Sequence, residues 1–296
     1  MSAVIIASVI LSVINLVVLL RLAIGGRRAL RSLNWRVQRL RSESQTANGK
    51  LRKLREELKG VTSRGRRNSK LLTSVVRSRK KDFDRLRDGQ LELELLVGLS
   101  GLRLPHPLFL TGWAIDGFLA HRIVELLEDR RPTGILELGS GSSTVLIATL
   151  LERLKVPKGR HIAVDHLPEY LSRTDEALKR QQVTRQPELL LCPLSSPKGD
   201  SIPWYSGLED RLGGSKLDLV IVDGPPGGDH PLSRFPALDA VRPFLNPGAT
   251  VLLDDAKRPA EAEIVERWKA AYPELNVRIH DHGKGYAEFT VPTELP

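Results

Sequence analysis

ILELGSGSST, residues Ile135 to Thr144, decides how this chain is read. A short apolar run stops at Gly139, and Gly139-Ser140-Gly141 separates it from a helical stretch that opens at Ser142-Ser143-Thr144. Buried strands of parallel sheets read as continuous apolar runs, and glycines let the backbone turn tightly and approach a ligand closely. A helix that starts at such a turn offers its free amides to a negative group.

Downstream of this stretch, short apolar runs alternate with helical segments. Strands are predicted at 135–138, 161–165, 188–192, 217–223, 249–254, 277–280 and 287–291, with helices between most of them. That alternation predicts an α/β fold: a Rossmann-like, seven-stranded, mostly parallel sheet with helices on both faces and an antiparallel hairpin at its end. Upstream, Ile115, Phe118, Leu119, Ile123, Leu126 and Leu127 share one helix face, and Pro132 and Gly134 end that helix.

Farther toward the N-terminus the composition changes. Residues 3–20 carry no charged side chain, a length that can span a bilayer, and Arg21, Arg27, Arg28 and Arg31 follow it. The expectation is a transmembrane anchor over 1–24 with the body of the chain on the cytoplasmic side, by the positive-inside rule. Residues 25–88 read as a basic linker. Leu30, Leu33, Val37 and Leu40, then Leu51, Leu54, Leu58 and Val61, have the spacing of a coiled-coil seam, and Gly49, Gly60 and Gly65 interrupt it. A broken helical stalk able to self-associate is expected, with a solvated linker as the alternative.

Charge divides the same way. Residues 21–88 hold 22 Lys or Arg against 6 Asp or Glu, a net of +16 within a chain of net +10, so the remainder is mildly acidic at −6. The single cysteine, Cys192, excludes a disulfide framework or a cysteine-built zinc site within one chain. None of the histidines is spaced as a zinc motif.

In doubly wound sheets ligands bind beyond the carboxyl ends of the strands. The second predicted strand ends at Asp165, where a carboxylate can accept bonds from both hydroxyls of a ribose. The fourth ends at Asp223 in LDLVIVDGPPG, and the fifth at Asp254-Asp255 in ATVLLDDAKRP. So many carboxylates suit a sulfonium or a divalent metal better than an anionic pyrophosphate, although Asp254 and Asp255 could also cap the next helix.

Taken together, residues from about Pro105 to Val291 resemble a class I S-adenosylmethionine-dependent methyltransferase. ELGSGSS resembles the family's first motif, Asp165 its ribose-binding acid and DLVIVDGPPG its fourth motif. PWYS, VDGPPG and VLLDDAKR are similar to bacterial O-methyltransferases of the small-molecule and glycan-modifying kind. The resemblance covers nearly two thirds of the chain and places the methyltransferase domain at 89–296. It implies S-adenosylmethionine as cofactor, with Gly139, Ser140 and Gly141 beside its methionine part, Glu137 orienting their turn and Asp165 holding the ribose. Ser143 stands where many relatives have a third glycine, so its hydroxyl is expected near the cofactor carboxylate, and Asp223 is placed beside the cofactor.

Asp223, Asp254 and Asp255 fall where catechol-type relatives bind Mg2+, which makes that ion a candidate cofactor. Two departures stand against it: the third ligand there is usually an amide, and the lysine expected after Asp223 is replaced by Gly224-Pro225-Pro226. For the base that removes the acceptor's proton the candidates are His230, Asp223 and Lys257, in that order. Arg234 is expected either to neutralise an acidic acceptor or to form a surface ion pair. Trp113, Trp204 and Tyr205 either wall the site or pack in the core. The expected partners are a small-molecule, glycan or lipid-linked acceptor and the membrane. Nucleic acid is not expected, because Gly224 interrupts and Gly227 replaces the Asp-Pro-Pro-aromatic run of base-modifying relatives. An idle membrane scaffold with the same fold, a nucleic-acid-binding protein using the basic arm, and an NAD enzyme are the rival readings.

Overall fold

A computed structural model describes residues 27–61, 69–101, 104–106, 108, 114–157, 159–196, 202–228 and 230–293. The chain separates into two units, residues 1–87 and 88–296. In the first, helix α1 runs Arg27–Val61, and helix α2, Ser69–Ser100, continues into the second unit.

α1 passes through Gly49 and Gly60 without a break, contrary to expectation. A helical glycine costs about 1 kcal/mol relative to alanine, and the flanking Leu, Lys, Arg and Glu are good helix formers. Gly65 lies outside the described residues. Trp35 and Leu51 stand exposed on α1 at 63% and 53%, and among the described residues no partner helix forms a coiled coil with it. The coiled-coil and self-association expectations therefore have no support.

The expected fold class is corrected in one respect. Among the described residues no helix is long and apolar enough to cross a membrane. The transmembrane helix is thus no part of the described architecture, and the segment assigned to it, residues 1–24, lies outside those residues.

The second unit contains the sheet. Its elements in order are α3 (Gly117–Arg130), β1 (Gly134–Leu138), α4 (Ser142–Arg153), β2 (Arg160–Asp165), α5 (Pro168–Arg180), β3 (Glu188–Leu191), β4 (Leu194–Ser195), β5 (Trp204–Tyr205), α6 (Leu208–Leu212), β6 (Leu217–Val222), α7 (Ala237–Val241), β7 (Leu245–Asp254), α8 (Pro259–Ala271), β8 (Asn276–His280) and β9 (Tyr286–Thr290). Seven strands form one sheet in the order β3-β2-β1-β6-β7-β9-β8, parallel except for β9, which runs antiparallel to both β7 and β8. β4 and β5 make a separate two-stranded piece that the sequence reading missed.

β1 is buried along its whole length because helices cover both of its faces. Leu136 and Leu138 face a layer with Val220, Val222, Leu238, Ile264 and Trp268, while Ile135 faces the opposite layer of Leu119, Ile123, Leu127, Leu146 and Ile147. α3 starts at Asp116, whose carboxylate accepts bonds from the amides of Phe118 (3.1 Å) and Leu119 (3.0 Å), the N-cap that leaves the apolar face of the helix free to pack. From β1 the chain winds outward to β2 and β3, then returns to lay β6 on the other side of β1. The crevice opened by that reversal lies at the carboxyl ends of β1 and β6, and there Gly139 and Asp223 follow their strands.

Candidate active site

The turns after β1 and β6 meet closely. The amides of Asp223 and Gly224 both donate to the Leu138 carbonyl, at 2.9 and 2.6 Å, and the Gly139 amide donates to Val164 O at 2.9 Å. Gly139 has φ +100°, a conformation that side chains rarely adopt, and a Cβ there would stand 3.2 Å from Gly224 N and 3.3 Å from the Asp223 carbonyl carbon. Gly141 differs: its backbone is extended and an added Cβ would meet no protein atom within 4 Å. The fold demands the first glycine and leaves the second unconstrained. Gly139→Ala is therefore expected to lower the melting temperature, at a cost of about 1–2 kcal/mol for the left-handed backbone alone. Gly141→Ala is expected to melt like the wild type while binding cofactor less tightly, which thermal melts paired with calorimetry would check.

A cleft of about 260 Å³ opens over these turns, lined by Gly139–Ser143, Asp165, Tyr205, Asp223, Gly224 and Arg234 among others. Of the residues expected to hold the cofactor, all but Glu137 line it. Asp165, at the tip of β2, is already engaged: one oxygen accepts from Ser140 N (3.0 Å) and Oγ (3.1 Å), the other from the amides of His166 (2.8 Å) and Leu167 (3.3 Å). Its carboxylate fastens the glycine turn to β2. Ser142 Oγ and Tyr205 OH, from residues that also line the cleft, are buried without a hydrogen-bond partner. Burial pushes the Tyr205 hydroxyl well above its ordinary value, so it stays a neutral donor. A glycine left open toward the cleft and two buried hydroxyls awaiting partners suit a polar ligand of nucleoside size.

Glu137 has its own partner inside the sheet. It is fully buried within the sheet, and its Oε1 lies 2.7 Å from His161 Nε2 on β2. The register explains the pair: Glu137 lies opposite Ala163 and Ile135 opposite His161, so both polar side chains project to one face of neighbouring strands.

On the other wall, the carboxylates of Asp223, Asp254 and Asp255 come within 4.8 Å of one another. Arg234, 4% exposed, is inserted among them. Its Nη2 donates to Asp223 Oδ1 (3.2 Å) and Asp255 Oδ2 (3.3 Å), and its Nη1 to the Asp254 carbonyl (3.0 Å). Of the two sequence expectations for Arg234, the surface ion pair is corrected, because Arg234 makes its ion pairs from a buried position; it also lines the cleft, which leaves the acceptor-neutralising role open. Arg258, which the reading passed over, donates to Asp255 Oδ2 at 2.9 Å. With a guanidinium bonded to two of the three carboxylates, the set does not fit a divalent cation as it stands, and Mg2+ gains no support.

Burial pushes the Asp223 carboxyl up to about 6, with Arg234 pulling it down and Asp255 pushing it up. Asp254, 1% exposed with neither carboxyl oxygen hydrogen-bonded to a donor, is pushed well above its ordinary value by burial, then by Asp223 and Asp255. A raised carboxyl binds its proton more tightly folded than unfolded. Its contribution to stability is complete below about pH 4 and declines as pH rises from there through the folded value. Asp254→Asn removes that decline, and is expected to raise the melting temperature by several degrees at about pH 8 and by little at about pH 4.

The three candidate bases are separated by the structure. Asp223 lines the cleft. His230 is exposed and is not among the lining residues, and Lys257 is drawn aside to Asp281 (3.2 Å) and Asp88 (3.8 Å). Trp113 lies outside the described residues, and Trp204 packs edge-on against Tyr205. His166 and Tyr170, both in the DHLPEY segment after β2, also line the cleft and had drawn no assignment.

Residues 136–256 match the model of a family described as a methyltransferase domain. The chain carries a methyltransferase domain. The sheet order, the glycine turn after β1 and the acid at the tip of β2 agree with that match. Solved structures similar to it include an O-methyltransferase from Bacillus cereus in complex with S-adenosylhomocysteine, at 13% identity over 68% of this chain and 90% of that one, TM-score 0.49. Another is the O-methyltransferase TomG from Streptomyces achromogenes, involved in tomaymycin synthesis and solved with S-adenosylmethionine, at 17% identity over 66% of this chain and 89% of that one, TM-score 0.48. A comparison with curated proteins finds no match.

Proposed function

We propose that this methyltransferase methylates a hydroxyl oxygen on a small-molecule or glycan acceptor. One observation carries the reading: at the carboxyl end of β6, beside the cofactor turn, the candidate base lining the cleft is a carboxylate, Asp223, pushed up to about 6. An alcohol or phenol must shed its proton as it becomes an ether, and a base titrating near neutrality is suited to take it.

When bound, the sulfonium cofactor supplies an activated methyl group. The turn 139–141 and the first turn of α4 receive its amino-acid end, where the helix leaves amides unsatisfied and the Ser142 hydroxyl waits for a partner. Asp165, which accepts from the Ser140 amide and hydroxyl, would hold the ribose through its carboxylate. Tyr205 donates its hydroxyl into the same cleft. Asp223 takes the acceptor's proton as the oxygen accepts the methyl group, and positioning supplies the rest of the rate.

The test is transfer of labelled methyl from S-adenosylmethionine to a panel of phenols, sugars and polyols. Label recovered as an alkali-stable ether, with S-adenosylhomocysteine released, supports the reading. Label found only on amines, or on none of the panel, opposes it.

A further inference from the structure

Three carboxylates within 4.8 Å of one another, two of them almost fully buried, need positive charge close by. The chain provides it covalently. Arg234 stands in the turn before α7, and that turn is tied to the end of the β6 loop because Ser233 Oγ donates to the Pro225 carbonyl at 2.8 Å. From there the guanidinium reaches Asp223 and Asp255 with one nitrogen and the Asp254 carbonyl with another, and Glu261 lies 3.9 Å away. Arg258 adds a second cation at Asp255 Oδ2. An arginine in a protein keeps its charge and has donors only, so it cannot step aside by losing a proton.

A magnesium-like ion demands oxygens at about 2.1 Å in a near-octahedral shell. To gather Asp223 and Asp255 it would have to displace a guanidinium bonded to both and leave that buried cation without its two nearest carboxylates. The geometry points to Arg234 as a built-in replacement for the divalent cation among Asp223, Asp254 and Asp255, so that this methyltransferase needs no metal to hold its acceptor-side carboxylates. The inference rests on the cleft's role in methyl transfer only for its consequence for the rate. Metal binding can be measured without any acceptor.

The full-length chain, stripped with EDTA, would be titrated with Mn2+ while the free ion is followed by electron paramagnetic resonance. The expected result is no stoichiometric site at micromolar Mn2+ and a melting temperature unchanged by EDTA, Mg2+ or Mn2+. Arg234→Ala leaves the carboxylates without their central cation. This variant is expected to melt lower, to bind one Mn2+ at least about tenfold more tightly than the wild type, and to recover part of its melting temperature when the ion is added. Arg234→Lys keeps a charge and is expected to bind less Mn2+ than Arg234→Ala. One Mn2+ bound by the wild type at micromolar strength, or a melting temperature lowered by EDTA, would overturn the inference whether or not the variants fold. So would an Arg234→Ala protein that folds and binds no Mn2+. If the chain transfers no methyl group to any acceptor, the proposed chemistry fails while the titration still decides the question of the metal.

Discussion

Asp165→Ala is expected to weaken S-adenosylhomocysteine binding by about 100-fold or more. Hydrogen bonds to a charged partner contribute about 1.5–3 kcal/mol each, and a tenfold change in affinity is about 1.4 kcal/mol. The Asp165 carboxylate accepts from both the amide and the hydroxyl of Ser140, so its loss releases the turn proposed to lie against the cofactor and removes the acceptor proposed for the ribose. Asp165→Asn keeps the volume and one carbonyl oxygen, and is expected to fall between the wild type and Ala. Calorimetric titration of the three proteins measures the series. Wild-type affinity in Asp165→Ala would place the ribose elsewhere.

Asp223→Asn is expected to lower kcat by about 10²–10⁴-fold, the range for loss of a positioned base, while S-adenosylhomocysteine affinity changes only a few-fold. The pH profile provides a separate check. A base works deprotonated, and burial holds this carboxyl up to about 6. In the wild type kcat/KM should therefore rise with pH through about 6 and level off above it, and the residual activity of Asp223→Asn should lack that limb. A variant that lost cofactor affinity and rate together would assign Asp223 to binding rather than to proton removal.

Much of this was legible in the sequence because burial on both faces leaves a plain signature. ILEL, HIAV, LVIV and VLL are apolar runs too short for helices, and each became a strand of the sheet. The residues just beyond them, Gly139, Asp165 and Asp223, were found from position alone and do line one cleft. What escaped depends on three-dimensional register. Arg234 lies in the polar loop GGDHPLSR, 11 residues from Asp223 and 21 from Asp255, and its sequence position left an acceptor contact and a surface ion pair open without pointing to the buried bonds to both aspartates. Glu137 looked like part of the glycine motif because it precedes it by two residues, and only the pairing of β1 with β2 reveals His161 as its partner. Lys257 and His230 are near the acidic residues in sequence and turned away from the cleft in space. Gly49 and Gly60 were read as breaks because glycine is a poor helix former, yet two glycines cannot outweigh a long run of good ones.

Titration of S-adenosylhomocysteine into the full-length protein, repeated in excess NAD+, tests the central claim most directly. The expected result is one site per chain at micromolar strength, undiminished by NAD+. No heat from a protein that melts cooperatively, or displacement by NAD+, would contradict it.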